Sequence, residues 1–115
     1  MLLPVDGCYA AITLGEIHLG IFRAETETQR EAGHNFLRSL ERRFQRLDFG
    51  QEEAIAWAKL HDQLRRSGEL IGERDLQIAA TALAGGHSVM TGNVAEFSRV
   101  PGLEVIAPPD IPPPR

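Results

Sequence analysis

Apolar positions along the chain change their period several times, and each change marks an element. Residues 8–12, Cys-Tyr-Ala-Ala-Ile, form a short unbroken apolar run, the pattern of a buried strand. From Thr13 to about Ala24 the spacing turns helical, with Leu14, Ile17 and Ile21 on one side and Phe22 beside them. A second helix is expected from about Thr28 to Gln45, where Phe36, Leu37, Leu40, Phe44 and Leu47 keep an i, i+3, i+4 rhythm. Leu47-Asp48-Phe49 reads as a short strand before Gly50. A third helix follows over about Gln51–Arg66, with Ala54, Trp57, Ala58 and Leu64 on one face. Ser67-Gly68 closes it by the preference for glycine past a helix end.

The last third is the most regular. Asp75–Ala84 predicts a fourth helix, apolar nearly all round after its first turn and therefore buried on most sides. Gly85-Gly86 stops it. Ser88-Val89-Met90 predicts a buried strand, Asn93–Ser98 a short helix, Pro101-Gly102 a turn and Leu103–Ile106 a final strand. Strands alternating with helices imply an α/β fold with a parallel sheet. Residues 1–107 are read as one domain. The proline-rich tail 108–115 has too few apolar residues to pack and is expected to be extended and disordered.

Composition narrows the function classes. The 115 residues suffice for one core, and 43% are hydrophobic. A single cysteine, Cys8, excludes a disulfide framework within the chain and a cysteine zinc cluster. It lies in an apolar run and reads as a small buried side chain. No apolar stretch is long enough to span a bilayer, and the N-terminus lacks the pattern of a signal peptide, so a cytoplasmic protein with no membrane contact is expected. A net charge of −4 argues against broad electrostatic binding of nucleic acid but leaves room for a local basic patch. Arg38, Arg42, Arg43 and Arg46, with Glu41 among them, read as a solvated helix face, with an RNA or protein contact as the alternative. His18, His34, His61 and His87 show no metal-ligand spacing. Trp57 is assigned to the core or to a dimer interface. Glycine-rich phosphate loops and serine or cysteine nucleophile motifs are absent.

Three acidic residues share one kind of address. Glu16 follows Thr13, Asp75 opens its helix, and Glu96 follows Asn93, so each is expected at a helix start just after a strand or loop. Thr13-x-x-Glu16 has the letters of a capping box, Asn93-x-x-Glu96 is a close variant, and Asp75 complements the helix dipole. The alternative is joint action. In parallel α/β folds helix starts gather at the carboxyl edge of the strands, and clustered carboxylates become favourable around a hard cation such as Mg²⁺ or Mn²⁺.

These motifs resemble those of PIN-domain ribonucleases, in particular the VapC-type toxins of toxin–antitoxin pairs. Thr13-Leu14-Gly15-Glu16 is similar to the family's Leu-Gly-Glu motif. Asp75-Leu76-Gln77-Ile78-Ala79-Ala80 is similar to its Asp-x-x-Ile-Ala-Ala helix. Thr91-Gly92-Asn93-Val94-Ala95-Glu96-Phe97 is similar to its Thr-x-Asn-x-x-Asp/Glu-Phe stretch. The resemblance implies a metal-dependent endoribonuclease. Glu16, Asp75 and Glu96 would ligate Mg²⁺ or Mn²⁺, and Asn93 and Thr91 would orient the ligands or the attacking water. It also implies a cognate antitoxin, an RNA substrate and a homodimer. Family members open on an apolar strand ending in Asp-x-Asn, followed by a helix. Here Asp6 is the only acidic residue before Glu16, ten positions upstream, too close for two elements. The expectation is a PIN-like fold without its first strand and helix. The rival reading is a shortened, catalytically inactive relative that keeps antitoxin binding or self-association. A small Rossmann-like nucleotide binder is disfavoured because no glycine fingerprint follows a strand.

Overall fold

The computed structural model describes residues 8–107. Asp6 and the proline-rich tail lie outside these residues. The described chain falls into two units, residues 8–48 and 49–107.

The first unit is a strand–helix–helix–strand crossover. β1 (Cys8–Ala10) leads into α1 (Ala11–Arg23), then α2 (Glu27–Arg43) and β2 (Gln45–Leu47). The two strands pair in parallel, with Cys8 opposite Gln45, Tyr9 opposite Arg46 and Ala10 opposite Leu47. Thr26 caps α2, its Oγ1 accepting from Gln29 N at 3.1 Å. The Gln29 side chain in turn accepts from Glu25 N at 2.9 Å. Ile21 and Leu37 are the buried apolar side chains of the two helices. Their approach depends on Gly33, where a Cβ would come within 2.7 Å of Ile21 Cγ1.

The second unit is built on a helix pair. α3 (Gln51–Ser67) and α4 (Glu73–Gly85) pack together, followed by β3 (Val89–Met90), α5 (Val94–Phe97) and β4 (Val105–Ile106). β3 and β4 are parallel, Val89 opposite Val105 and Met90 opposite Ile106. At the start of α3, Gly50 N donates to Glu53 Oε1 at 2.8 Å. Gly68 and Gly86 end α3 and α4 in the left-handed region, with φ of 72° and 70°. Glu69 N and His87 N then reach back to Leu64 O and Ala82 O, closing both helix ends without a Cβ clash. Leu60, Leu64, Ile71, Leu76, Ala79, Ala82, Val89, Phe97 and Val100 form the core, with Trp57 packed against it. The Trp57 indole donates to Glu73 Oε1 at 3.0 Å, satisfying its one donor.

Several element boundaries differ from expectation. Ala11 and Ile12 belong to α1 and not to the first strand. β2 lies at Gln45–Leu47 and not at Leu47–Phe49, because pairing with β1 selects which residues extend. Phe44 is the extended residue after α2 and no part of its stripe, and Phe36 is 58% exposed. On α3 the buried stripe is Trp57, Leu60 and Leu64, while Ala54 and Ala58 face solvent. That stripe buries the larger side chains and so more apolar area. Among the described residues the strands form two separate parallel pairs, where one sheet was expected. No helix of the described residues is long and apolar enough to cross a membrane.

Candidate functional site

Two loops of the second unit bring the strongest sequence motifs together. α4 begins at Gly72, which has no side chain to cap the helix, and Glu73 and Asp75 occupy its first turn. Asp75 is only 7% exposed. After β3 the chain turns at Thr91, whose Oγ1 accepts from Asn93 N at 3.0 Å. α5 then starts, anchored by the buried Phe97. This turn aims Glu96 back at α4. Glu96 Oε1 accepts from Gly72 N at 2.8 Å, and Glu96 Oε2 accepts from the Asn93 side-chain amide. The Asp75 and Glu96 carboxyl groups lie close enough for each to shift the other's titration.

Two carboxyl groups in contact cannot both ionise cheaply, and their surroundings decide which one keeps the proton. Asp75 titrates above the ordinary aspartate range. Its burial is the main cause, followed by the hydrogen bond to Glu96 and the Glu96 charge. Arg74, with Nε 3.4 Å from Asp75 Oδ1, opposes the shift without cancelling it. Glu96 titrates below the ordinary glutamate range. The Gly72 N–H is the main cause, then the hydrogen bond with Asp75, and Asn93 and the charge of Arg99 add to it. Of the two, Glu96 therefore ionises first and Asp75 more reluctantly.

Such a pair suits a hard cation. Asp75, Glu96, the Asn93 carbonyl and the Thr91 hydroxyl offer only oxygen donors, as Mg²⁺ and Mn²⁺ prefer. Among the described residues no group of three or more His, Cys, Asp or Glu residues is gathered closely enough to hold a metal ion.

The other expected site residue, Glu16, stands in the first unit, half-buried in the second turn of α1. Its expected capping box does not form. α1 begins at Ala11 after Ala10, so Thr13 is already inside the helix and no acidic residue lies in its first turn. Asn93 precedes α5, but its side chain bonds to the Glu96 side chain instead of capping the backbone.

Two participants escaped the sequence reading. One is the Gly72 N–H, a backbone group that no residue letter reveals. The other is Arg99, one of many exposed cations, which is singled out only by its position beside Glu96. The basic run is solvated, but it is not one helix face: Arg38, Arg42 and Arg43 lie on α2 and Arg46 in β2. Arg38 bonds to Asn35, Arg42 to the Arg38 carbonyl and Arg46 to Asp48, and all four arginines are exposed.

Comparison with known proteins places the chain. The PIN domain family model matches residues 5–103. Ribonuclease VapC of Rickettsia bellii is 39% identical over 98 residues, covering 85% of this chain and 73% of that protein. The tRNA(fMet)-specific endonuclease VapC of Salmonella typhimurium is 32% identical over 98 residues, covering 85% and 72%. Among solved structures, the DNA-bound VapBC of Salmonella typhimurium superposes with a TM-score of 0.78 at 29% identity, over 87% of this chain and 74% of that one. VapBC-1 of nontypeable Haemophilus influenzae gives 0.78 at 29% identity, over 93% and 78%. The matched span holds the Asp75 and Glu96 segments whole, and the chain belongs to the PIN domain family, in its VapC-type branch.

Proposed function

We propose that the chain is a metal-dependent endoribonuclease acting as the toxin of a toxin–antitoxin pair. The observation that carries this reading is the Asp75–Glu96 pair, a buried aspartate beside a glutamate held by a backbone N–H. Relatives named as ribonucleases and endonucleases support it and favour it over the inactive alternative. Asp75 and Glu96 would ligate Mg²⁺ or Mn²⁺. When bound, the ion supplies positive charge that activates water as a nucleophile and stabilises the charge developing on the phosphate.

The chain's own residues prepare the site. Gly72 and Asn93 each occupy one Glu96 oxygen, which fixes the plane of the carboxylate before any ligand arrives. Thr91 fixes the turn that carries Asn93. Burial raises the Asp75 pKa, and a cation at the pair would favour its ionised form. The direct test is cleavage of a single-stranded RNA with Mg²⁺ or Mn²⁺, with and without EDTA, for wild type and Asp75→Asn. Loss of cleavage with chelator and with the variant is expected. Cleavage by Asp75→Asn at the wild-type rate would overturn the assignment.

The partner assignments extend the same reading. Related structures are of VapBC complexes, and α1 and α2 leave Phe22 and Phe36 exposed at 82% and 58%. Large apolar side chains in that state suit coverage by another chain. A cognate antitoxin and a homodimer are proposed on this basis. Co-purification of a second small protein with the chain, and sedimentation of the chain alone, check them.

A further inference from the structure

Arg99 combines a fixed backbone with an exposed head. It lies between Phe97 and Val100, each only 3% exposed. Its own N–H donates to Glu96 O at 3.2 Å, and Val100 N donates to Phe97 O at 3.1 Å. The Cα of Arg99 is thus held by a turn whose neighbours are sunk in the core. Its side chain is exposed, and its charge is felt by Glu96. Arg99 Nη1 donates to Leu70 O at 3.4 Å, a long and therefore weak bond. That contact steers the guanidinium while using one of its five donors.

A phosphodiester approaching the site meets a chain of net charge −4 and two carboxyl groups. The other arginine beside the pair, Arg74, is already engaged with Asp75. The geometry points to Arg99 as a substrate-binding residue, its guanidinium receiving an RNA backbone phosphate beside the Asp75–Glu96 pair. The planar fork of arginine matches phosphate oxygens in a way an ammonium does not. A turn-anchored Cα places that fork reproducibly, and the weak bond to Leu70 is easily exchanged. Arg99 transfers no proton in this role and ligates no metal. This inference rests on the ribonuclease reading, since it names where that substrate is held.

The test separates binding from reaction. Affinity of the full chain for a fluorescein-labelled single-stranded RNA oligonucleotide is measured in EDTA across a salt series, for wild type, Arg99→Ala, Arg99→Lys and Arg65→Ala. Arg65 is an exposed control on α3, paired with Asp62 at 3.1 Å. Arg99→Ala is expected to bind about ten- to a hundredfold more weakly, with the log–log salt slope reduced by about one. Arg99→Lys is expected to keep the slope and recover only part of the affinity, and Arg65→Ala to match wild type. The lysine variant keeps the proposal falsifiable should the alanine variant fail to fold.

The alternative role is a strap between α5 and the loop at Leu70. In that case Arg99→Ala would lower thermal stability and metal affinity while leaving RNA affinity and slope unchanged, which would overturn the proposal. Equal weakening by Arg65→Ala, or no RNA binding by wild type, would overturn it as well. If wild type binds RNA through Arg99 but cleaves none with Mg²⁺ or Mn²⁺, the contact stands and the ribonuclease reading falls.

Discussion

Asp75 resists ionisation because a buried aspartate beside an ionised glutamate is costly to ionise. Its pKa in the fold is raised above the unfolded value, so the stability it contributes is present below the ordinary aspartate range. That stability is lost as pH rises through the raised value. Glu96 runs the other way: its pKa is lowered, so its contribution is present above the ordinary glutamate range and is lost in acid. Asparagine at position 75 cannot ionise and keeps a donor for Glu96. In metal-free buffer at neutral pH, Asp75→Asn should therefore be more stable than wild type, on the order of 0.5–2 kcal/mol. The difference should shrink as pH falls toward 4, and urea midpoints at both pH values check it. The raised Asp75 pKa predicts a metal effect. Divalent-ion binding in the interval between the ordinary and raised aspartate values should release protons. Titration calorimetry in buffers of different ionisation enthalpy would read that release, and buffer-independent heats would contradict it.

Elements in this fold are held more by their partners than by local preference. α4 is closed by Gly86 and opened beside Gly72, and between them Leu76 and Ala79 reach the core. Leu64 of α3, 1% exposed, is among its largest fully buried side chains. Leu64→Ala should cost about 2–5 kcal/mol through lost burial and the cavity left behind, measurable as a lower denaturant midpoint. In the first unit the contact is tighter still. Gly33→Ala puts a methyl where Ile21 Cγ1 lies 2.7 Å away, so α1 and α2 must separate or Ile21 must leave its rotamer. Overpacking of this kind costs about 1–3 kcal/mol. In a double-mutant cycle with Ile21→Ala, which removes Cγ1, Gly33→Ala should cost less than it does in wild type. Helix ends at Gly68 and Gly86 were legible from the residues alone, because few residues other than glycine take the left-handed conformation cheaply. The register of β2 was not. Leu47 pairs with Ala10 across the sheet, and a strand of three residues carries too little periodic signal to show where it starts.

At the scale of the molecule, charge and metal decide the outcome together. With a net charge of −4, RNA binding depends on a few local cations, so cleavage should fall steeply as salt rises. A rate unchanged between low and physiological salt would contradict a phosphate-held substrate. EDTA should abolish cleavage, and restoring Mg²⁺ or Mn²⁺ should recover it. Wild type should also gain thermal stability from the ion by mass action, and Asp75→Asn should gain less.

What the residues alone determined is the class of fold and the motifs of the site. Period, capping glycines and the order of the Asp75 and Glu96 motifs are local properties, carried by residues close together in the chain. They sufficed for a helix-rich α/β chain of PIN type and for the candidate acids. What only the tertiary structure decided is how those acids are joined. Asp75 and Glu96 stand 21 positions apart in the chain, and their contact depends on α5 docking so that Glu96 meets the Gly72 N–H. The capping role read into Asn93-x-x-Glu96 yielded to that contact. An ionised carboxylate gains more from a backbone N–H and a neighbouring acid in a partly buried site than from one turn of its own short helix. Which acid ionises first is likewise set by burial and neighbours, and a one-dimensional sequence contains neither.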